Sequence, residues 1–72
     1  MYINIYGKDG MEWSASVFES QVEKQGNKTL VHFETQTYIL TDKTWTVIRN
    51  YDGKQVGKRE NISRWELSPT HI

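Results

Sequence analysis

Apolar and polar residues alternate along much of this chain, and a period of two is the mark of a half-buried β-strand. Residues 11–17 (MEWSASV) alternate strictly, which predicts a strand with Met11, Trp13, Ala15 and Val17 turned inward. Residues 2–6 (YINIY) predict another, with either Ile3 and Ile5 or Tyr2 and Tyr6 facing the core. The two are joined by Gly7-Lys8-Asp9-Gly10, whose glycines accept the positive φ a tight hairpin requires. Residues 29–40 (TLVHFETQTYIL) are rich in β-branched and aromatic side chains and predict one long strand, or two strands bent near Thr35-Gln36. After a turn at Thr41-Asp42-Lys43, residues 44–50 (TWTVIRN) predict the clearest strand of all, and Asp52-Gly53 turns it back.

The register of that last hairpin can be argued from side chains. A type I turn with a glycine bulge pairs Asn50 with Lys54, Ile48 with Val56 and Trp45 with Arg59. A two-residue loop would set Ile48 against Gly57 and Arg49 against Val56, so matching of like side chains favours the first. Residues 62–67 predict a final strand with Trp65 and Leu67 inward, or a turn of helix leading into it, and Pro69 stops it. Residues 16–26 read two ways. Ser16 and Glu19 fit a capping box and Gly26 a helix end. A helix of about nine residues is marginal alone, so a strand continuing through a bulge to Val22 and turning at Gly26-Asn27 is slightly favoured. The expected class is therefore all-β. Five or six strands would form a small antiparallel curled sheet, or a barrel that resembles the SH3-like or OB-like size class in strand rhythm alone. At most one short helix falls near residues 17–25. One domain is expected over residues 1–68, with a flexible tail at 69–72.

Composition sharpens this picture. The chain has 72 residues and no cysteine, which excludes a disulfide scaffold, thiolate metal sites and thiol nucleophiles. Apolar residues make up 36% but aromatics 12%, so rings must close a core that the aliphatics alone leave thin. Chains of this size bury only about 60% of their unfolded surface, which makes self-association a reasonable expectation. No apolar run approaches the roughly 18 residues of a membrane span. The N-terminal residues lack the basic start and apolar stretch of a signal peptide. A cytoplasmic protein is expected, and the glycosylation match at Asn61-Ile62-Ser63 carries no weight in that setting.

Nine basic and nine acidic residues cancel, but they are unevenly placed. Residues 1–42 hold three lysines against six carboxylates, and residues 43–64 hold six cations against two carboxylates. Such segregation guides an acidic partner to one side or orients two copies head to tail. Catalytic chemistry finds no support. No serine sits in a nucleophile elbow, and neither phosphate-binding glycine motif is present. His32 and Glu34 fall on one face of a predicted strand, but the remaining imidazole, His71, lies in the expected tail. No metal, cofactor or catalytic residue is expected.

One constellation has functional content: Trp45, Arg49, Tyr51, Lys54, Lys58, Arg59 and Arg64, with Trp65. Aromatics interleaved with cations on strands suit single-stranded nucleic acid, where rings stack on bases and cations track phosphates. Against this, tryptophans in a small domain are mostly core, and a neutral chain lacks the basic footprint of a dedicated nucleic-acid binder. The leading expectation is a non-catalytic module acting through protein–protein contacts, by self-association (a homodimer) or as a small inhibitor or adaptor. Exposed Tyr2, Tyr6, Tyr38, Tyr51 and Arg49 would supply anchors, and a sheet edge at 2–6 or 62–67 would supply a pairing strand. Nucleic-acid binding through residues 45–65 is the alternative.

Overall fold

The computed structural model describes residues 1–69 and is all-β, with eight strands in two antiparallel sheets. Strand β1 (Tyr2–Gly7) lies between β2 (Gly10–Ser16) and β8 (Arg64–Ser68) in a three-stranded sheet. The second sheet is a five-stranded meander in chain order: β3 (Val22–Gln25), β4 (Lys28–His32), β5 (Gln36–Leu40), β6 (Thr44–Arg49) and β7 (Gln55–Glu60). The sequence expectation of five or six strands merged elements that turns divide. Residues 29–40 split at Phe33–Gln36, where the Phe33 N–H donates to the Gln36 carbonyl at 2.8 Å. The ambiguous segment becomes one 3-10 turn, Glu19–Gln21, followed by β3. Gln21 closes the turn, its side-chain oxygen accepting from the Phe18 N–H at 2.7 Å. Three residues leave no room for a helix to propagate.

The sheets meet through a small core of Ile3, Ile5, Val17, Val31, Leu40 and Ile62. Ile3 and Ile5 are fully buried, which settles the facing of β1 in favour of the isoleucines. Trp13, Ala15, Trp65 and Leu67 pack against this core as the alternation predicted. Met11 does not, being 41% exposed. A bulge between Ile5 and Tyr6 pairs Ile5 with Trp13 but Tyr6 with Met11, leaving Glu12 as the extra residue. The extra residue puts Met11 out of phase with the inward set. β1 is also the central strand of its sheet, so residues 2–6 offer no free edge, whereas β8 does.

The β6–β7 hairpin corrects part of the expected register. Trp45 does face Arg59, and Val47 faces Gly57. Ile48, however, faces Gln55 rather than Val56, and Arg49 rather than Asn50 meets Lys54, its N–H donating to the Lys54 carbonyl at 2.8 Å. The loop therefore holds four residues, 50–53, closed by a 2.8 Å bond from Gly53 N–H to the Arg49 carbonyl with Gly53 at φ 70°. The bulge lies within β7 at Val56, which points to solvent instead of pairing.

The turns at one end of the molecule are stitched together. Ile62 N–H donates to the Lys43 carbonyl at 3.0 Å, Ser63 N–H to the Tyr6 carbonyl at 2.8 Å, and the Trp65 indole to the Thr41 carbonyl at 2.7 Å. Of the expected tail only Pro69 is described, and 70–72, with His71, lie outside the described residues. Among the described residues no helix is long and apolar enough to cross a membrane. Two substitutions on neighbouring strands test this division of inside and outside. Ile5→Ala should lower the unfolding free energy by about 2–5 kcal/mol. Met11→Ala should cost roughly 0.5 kcal/mol or less. Urea unfolding followed by tryptophan fluorescence measures both.

Candidate functional site

The predicted cationic and aromatic residues do not converge on one surface. Trp45 and Arg59 are direct cross-strand neighbours on the inner face of the five-stranded sheet, and Lys58 falls on the outer face. Tyr51 sits in the β6–β7 loop and Lys54 directly follows it. Arg64 belongs to the other sheet. Both tryptophans of the constellation pack on the core. Trp45 joins Trp13, Phe33 and Tyr38 in a ring cluster, with centroids 5.6 Å from Trp13 and 5.4 Å from Tyr38. Tyr38, expected as an exposed anchor, is thus half-buried, and burial raises its hydroxyl pKa. Tyr2 and Tyr6 are half-buried too, and only Tyr51 stands clear, at 82% exposed.

Every arginine is already matched to a carboxylate. Arg49 holds Asp52 through contacts of 3.2 and 2.6 Å and lies 4.8 Å from the Tyr51 ring centroid. Arg59 reaches both Glu12 oxygens, at 2.8 and 3.0 Å. Arg64 contacts Glu66 at 3.2 Å and covers the Tyr6 ring at 3.9 Å. Lys58 lies 3.5 Å from Glu60. Exposed pairs of this kind add little stability, but they commit each arginine, and Glu12 and Glu66 bring to the basic segment two carboxylates from outside it. The Arg59–Glu12 pair joins residues 47 apart in sequence, so nothing local announced it.

Three surfaces remain. The first is a groove of about 360 Å³ beside β7, lined by Trp45, Val47, Gly57, Lys58 and Arg59. Gly57 borders it without a side chain, and a Cβ there would rest in ordinary contact, 3.8 Å from Val47 Cβ. The Trp45 indole N–H is buried without a hydrogen-bond partner. The second is a cavity of about 420 Å³ where three turns meet, lined by Lys8, Lys43, Asn61, Ile62 and Ser63. Lys43 Nζ already donates to the Ser63 carbonyl at 3.1 Å.

The third surface is the outer face of the five-stranded sheet, which pattern reading missed. Cross-strand pairing places Glu23, Leu30, Ile39, Thr46 and Lys58 in one continuous row from β3 to β7. Ile48 lies diagonal to Ile39 in the next row, beside Thr37. Leu30, Ile39 and Ile48 are half-buried, yet none belongs to the hydrophobic cluster between the sheets. One end of this face is tied by polar groups. Glu23 Oε1 lies 2.9 Å from His32 Nε2, His32 Nδ1 lies 3.3 Å from Thr37 Oγ1, and Thr37 donates to Asn50 Oδ1 at 2.6 Å. Hydrogen bonding from Gln25 and then His32 holds the Glu23 carboxyl below the usual range. His32 thus works with Glu23. Among the described residues no three His, Cys, Asp or Glu side chains gather as a metal site requires.

The outer face of the smaller sheet is polar instead. Asn4 is 1% exposed and stands across from Ser14 and Glu66. Its side-chain oxygen accepts from Ser14 at 2.6 Å. Its amide nitrogen has no hydrogen bond of normal geometry but helps keep Glu66 ionised. Tyr6 donates to Glu66 Oε1 at 2.8 Å, the main reason that the Glu66 carboxyl is lowered and the Tyr6 hydroxyl raised. A lowered carboxyl contributes stability that is complete above the usual carboxylate range of about pH 4–5 and lost as pH falls below it. Glu66→Gln should therefore flatten the acid limb of a stability–pH curve measured by urea unfolding. An acid limb as steep as that of the parent protein would contradict the assignment.

Comparison with known proteins finds no matching family model, no matching curated protein and no matching solved structure.

Proposed function

We propose that this chain is a non-catalytic binding module that works through protein–protein contacts, using the outer face of the five-stranded sheet. The observation that carries the reading is the row of aliphatic side chains there. Leu30, Ile39 and Ile48 lie outside the core, on the face turned away from the three-stranded sheet. An apolar centre with a polar rim of Glu23, His32, Lys58 and Glu60 is the arrangement of a contact patch. Exposed Phe18, at the 3-10 turn, and Tyr51 are further apolar side chains available to a partner.

The alternative, nucleic-acid binding through residues 45–65, keeps one exposed ring and few free cations. Tyr51 and Lys54 remain available, but Arg49, Arg59 and Arg64 are each committed to a carboxylate. Capture from the source cell on the immobilised protein, run beside Ile39→Glu, tests the choice. A protein retained by the parent chain and released by the folded variant is expected. Single-stranded oligonucleotides should bind no more tightly than about 10⁻⁴ M at physiological salt. Oligonucleotide binding well below that, weakening with salt at a log–log slope near about −2.8 as four phosphate contacts require, would overturn the protein reading.

A further inference from the structure

We propose that the occupant of this outer face is a second copy of the same chain, docked about a twofold axis that runs along the strands. The proposal rests on the protein-binding reading and goes further by naming the partner and its orientation. Its basis is the order of charges across the sheet. The central row begins with Glu23 on β3, passes through Leu30, Ile39 and Thr46, and ends with Lys58 on β7. It is negative at one end, positive at the other and apolar between.

Two copies packing face to face have a twofold axis lying in the plane between them. Only two directions keep the rows of both copies aligned. An axis along the rows stacks each strand on its own counterpart, so that Glu23 meets Glu23 and Lys58 meets Lys58. An axis along the strands reverses the strand order, so that β3 of one copy covers β7 of the other. Glu23 then meets Lys58 twice, Ile39 meets Ile39 at the centre, and Leu30 lies against Thr46. The flanking row follows the same logic. Lys28 on β4 is two residues before Leu30, and Glu60 on β7 is two residues after Lys58. Under the same axis Lys28 lies one strand spacing, about 4.8 Å, to the side of the other copy's Glu60 across the roughly 10 Å between stacked sheets. The arrangement keeps the strands of the two sheets near alignment, as stacked sheets prefer.

In a single chain Glu23 and Lys58 are far from spent. Glu23 meets His32 and Gln25 but its side chain stays 49% exposed, and the Lys58–Glu60 contact is long at 3.5 Å. Both charges can therefore reach across an interface. Five strands at about 4.8 Å and five residues at about 3.3 Å give a face of roughly 400 Å². That is about half the 800 Å² per partner of a standard interface, the size of a weak and transient contact, so the pair should exchange readily with monomer.

Sedimentation equilibrium of the full chain from about 10 µM to 1 mM tests the inference. The parent protein should show a monomer–dimer equilibrium that weakens as salt is added. Glu23→Lys and Lys58→Glu, both at exposed positions, should each weaken the dimer at least tenfold, because each sets like charges opposite one another. The double variant should recover most of the loss, since it only exchanges the two ends of the row. Ile39→Glu should leave a monomer. A monomer at every concentration, a dimer indifferent to either charge reversal, or a double variant no better than the singles would each overturn the proposal. If the chain is monomeric while Ile39→Glu still releases a captured protein, self-pairing fails and the broader protein-binding reading stands.

Discussion

The burial of β1 on both faces is the constraint from which the rest of this structure follows. Ile3 and Ile5 fill the space between the sheets, while Asn4, between them in sequence, is sealed on the opposite face by polar neighbours. A chain of 72 residues without cysteine has few ways to build a core. This one uses a strand that is paired on both sides and covered above and below. Once β1 is central, β2 and β8 must flank it, and Trp13 and Trp65 are carried against the core from either side. The cost is a polar amide held away from water, partly compensated by Ser14 and Glu66.

Charge in this protein is arranged by the fold. Read along the chain, acidic and basic residues separate into two segments, which suggested a basic surface. In space the two segments touch where Glu12 from β2 meets Arg59 from β7, while Arg49 pairs with Asp52 inside the basic segment itself. What survives is a finer pattern of opposite ends on a single sheet face. Such a pattern has little effect at long range, where the two signs cancel, and acts when surfaces are nearly in contact.

The legible part of the fold was the part governed by local alternation. The class, the β1–β2 hairpin, the strand over 44–49 and the inward Trp13 and Trp65 all follow from period two, whereas the expected pairing of Trp45 with Arg59 holds although the loop is one residue longer than its turn chemistry suggested. The errors cluster at bulges. One extra residue at Glu12 turned Met11 outward; at β6–β7 the loop held one residue more than expected, which set Ile48 against Gln55, and the bulge at Val56 restored the expected register from Val47 onward. A bulge costs one hydrogen-bonded step and leaves no strong sequence mark, so phase changes across it unannounced. The outer apolar row was hidden for a different reason. Leu30, Ile39 and Ile48 belong to three strands, and only cross-strand register reveals that they share a face. The commitment of Arg59 was hidden likewise, because it and Glu12 come together only when both sheets are assembled.

The pairing of β1 with β8 brings residues 2–6 against residues 64–68. The meander from β3 to β7 is made of neighbours in sequence and closes with short loops, whereas this contact spans almost the whole chain. During synthesis β1 therefore leaves the ribosome well before β8, and its second side stays unpaired until β8 arrives. Until then Ile3 and Ile5 have only β2 beside them and an open strand edge on the other flank. In the interval between emergence of β1 and arrival of β8 that open edge is available for pairing with the wrong chain. A topology that gives the finished domain its sealed centre thus leaves the nascent domain with an open edge until β8 is made.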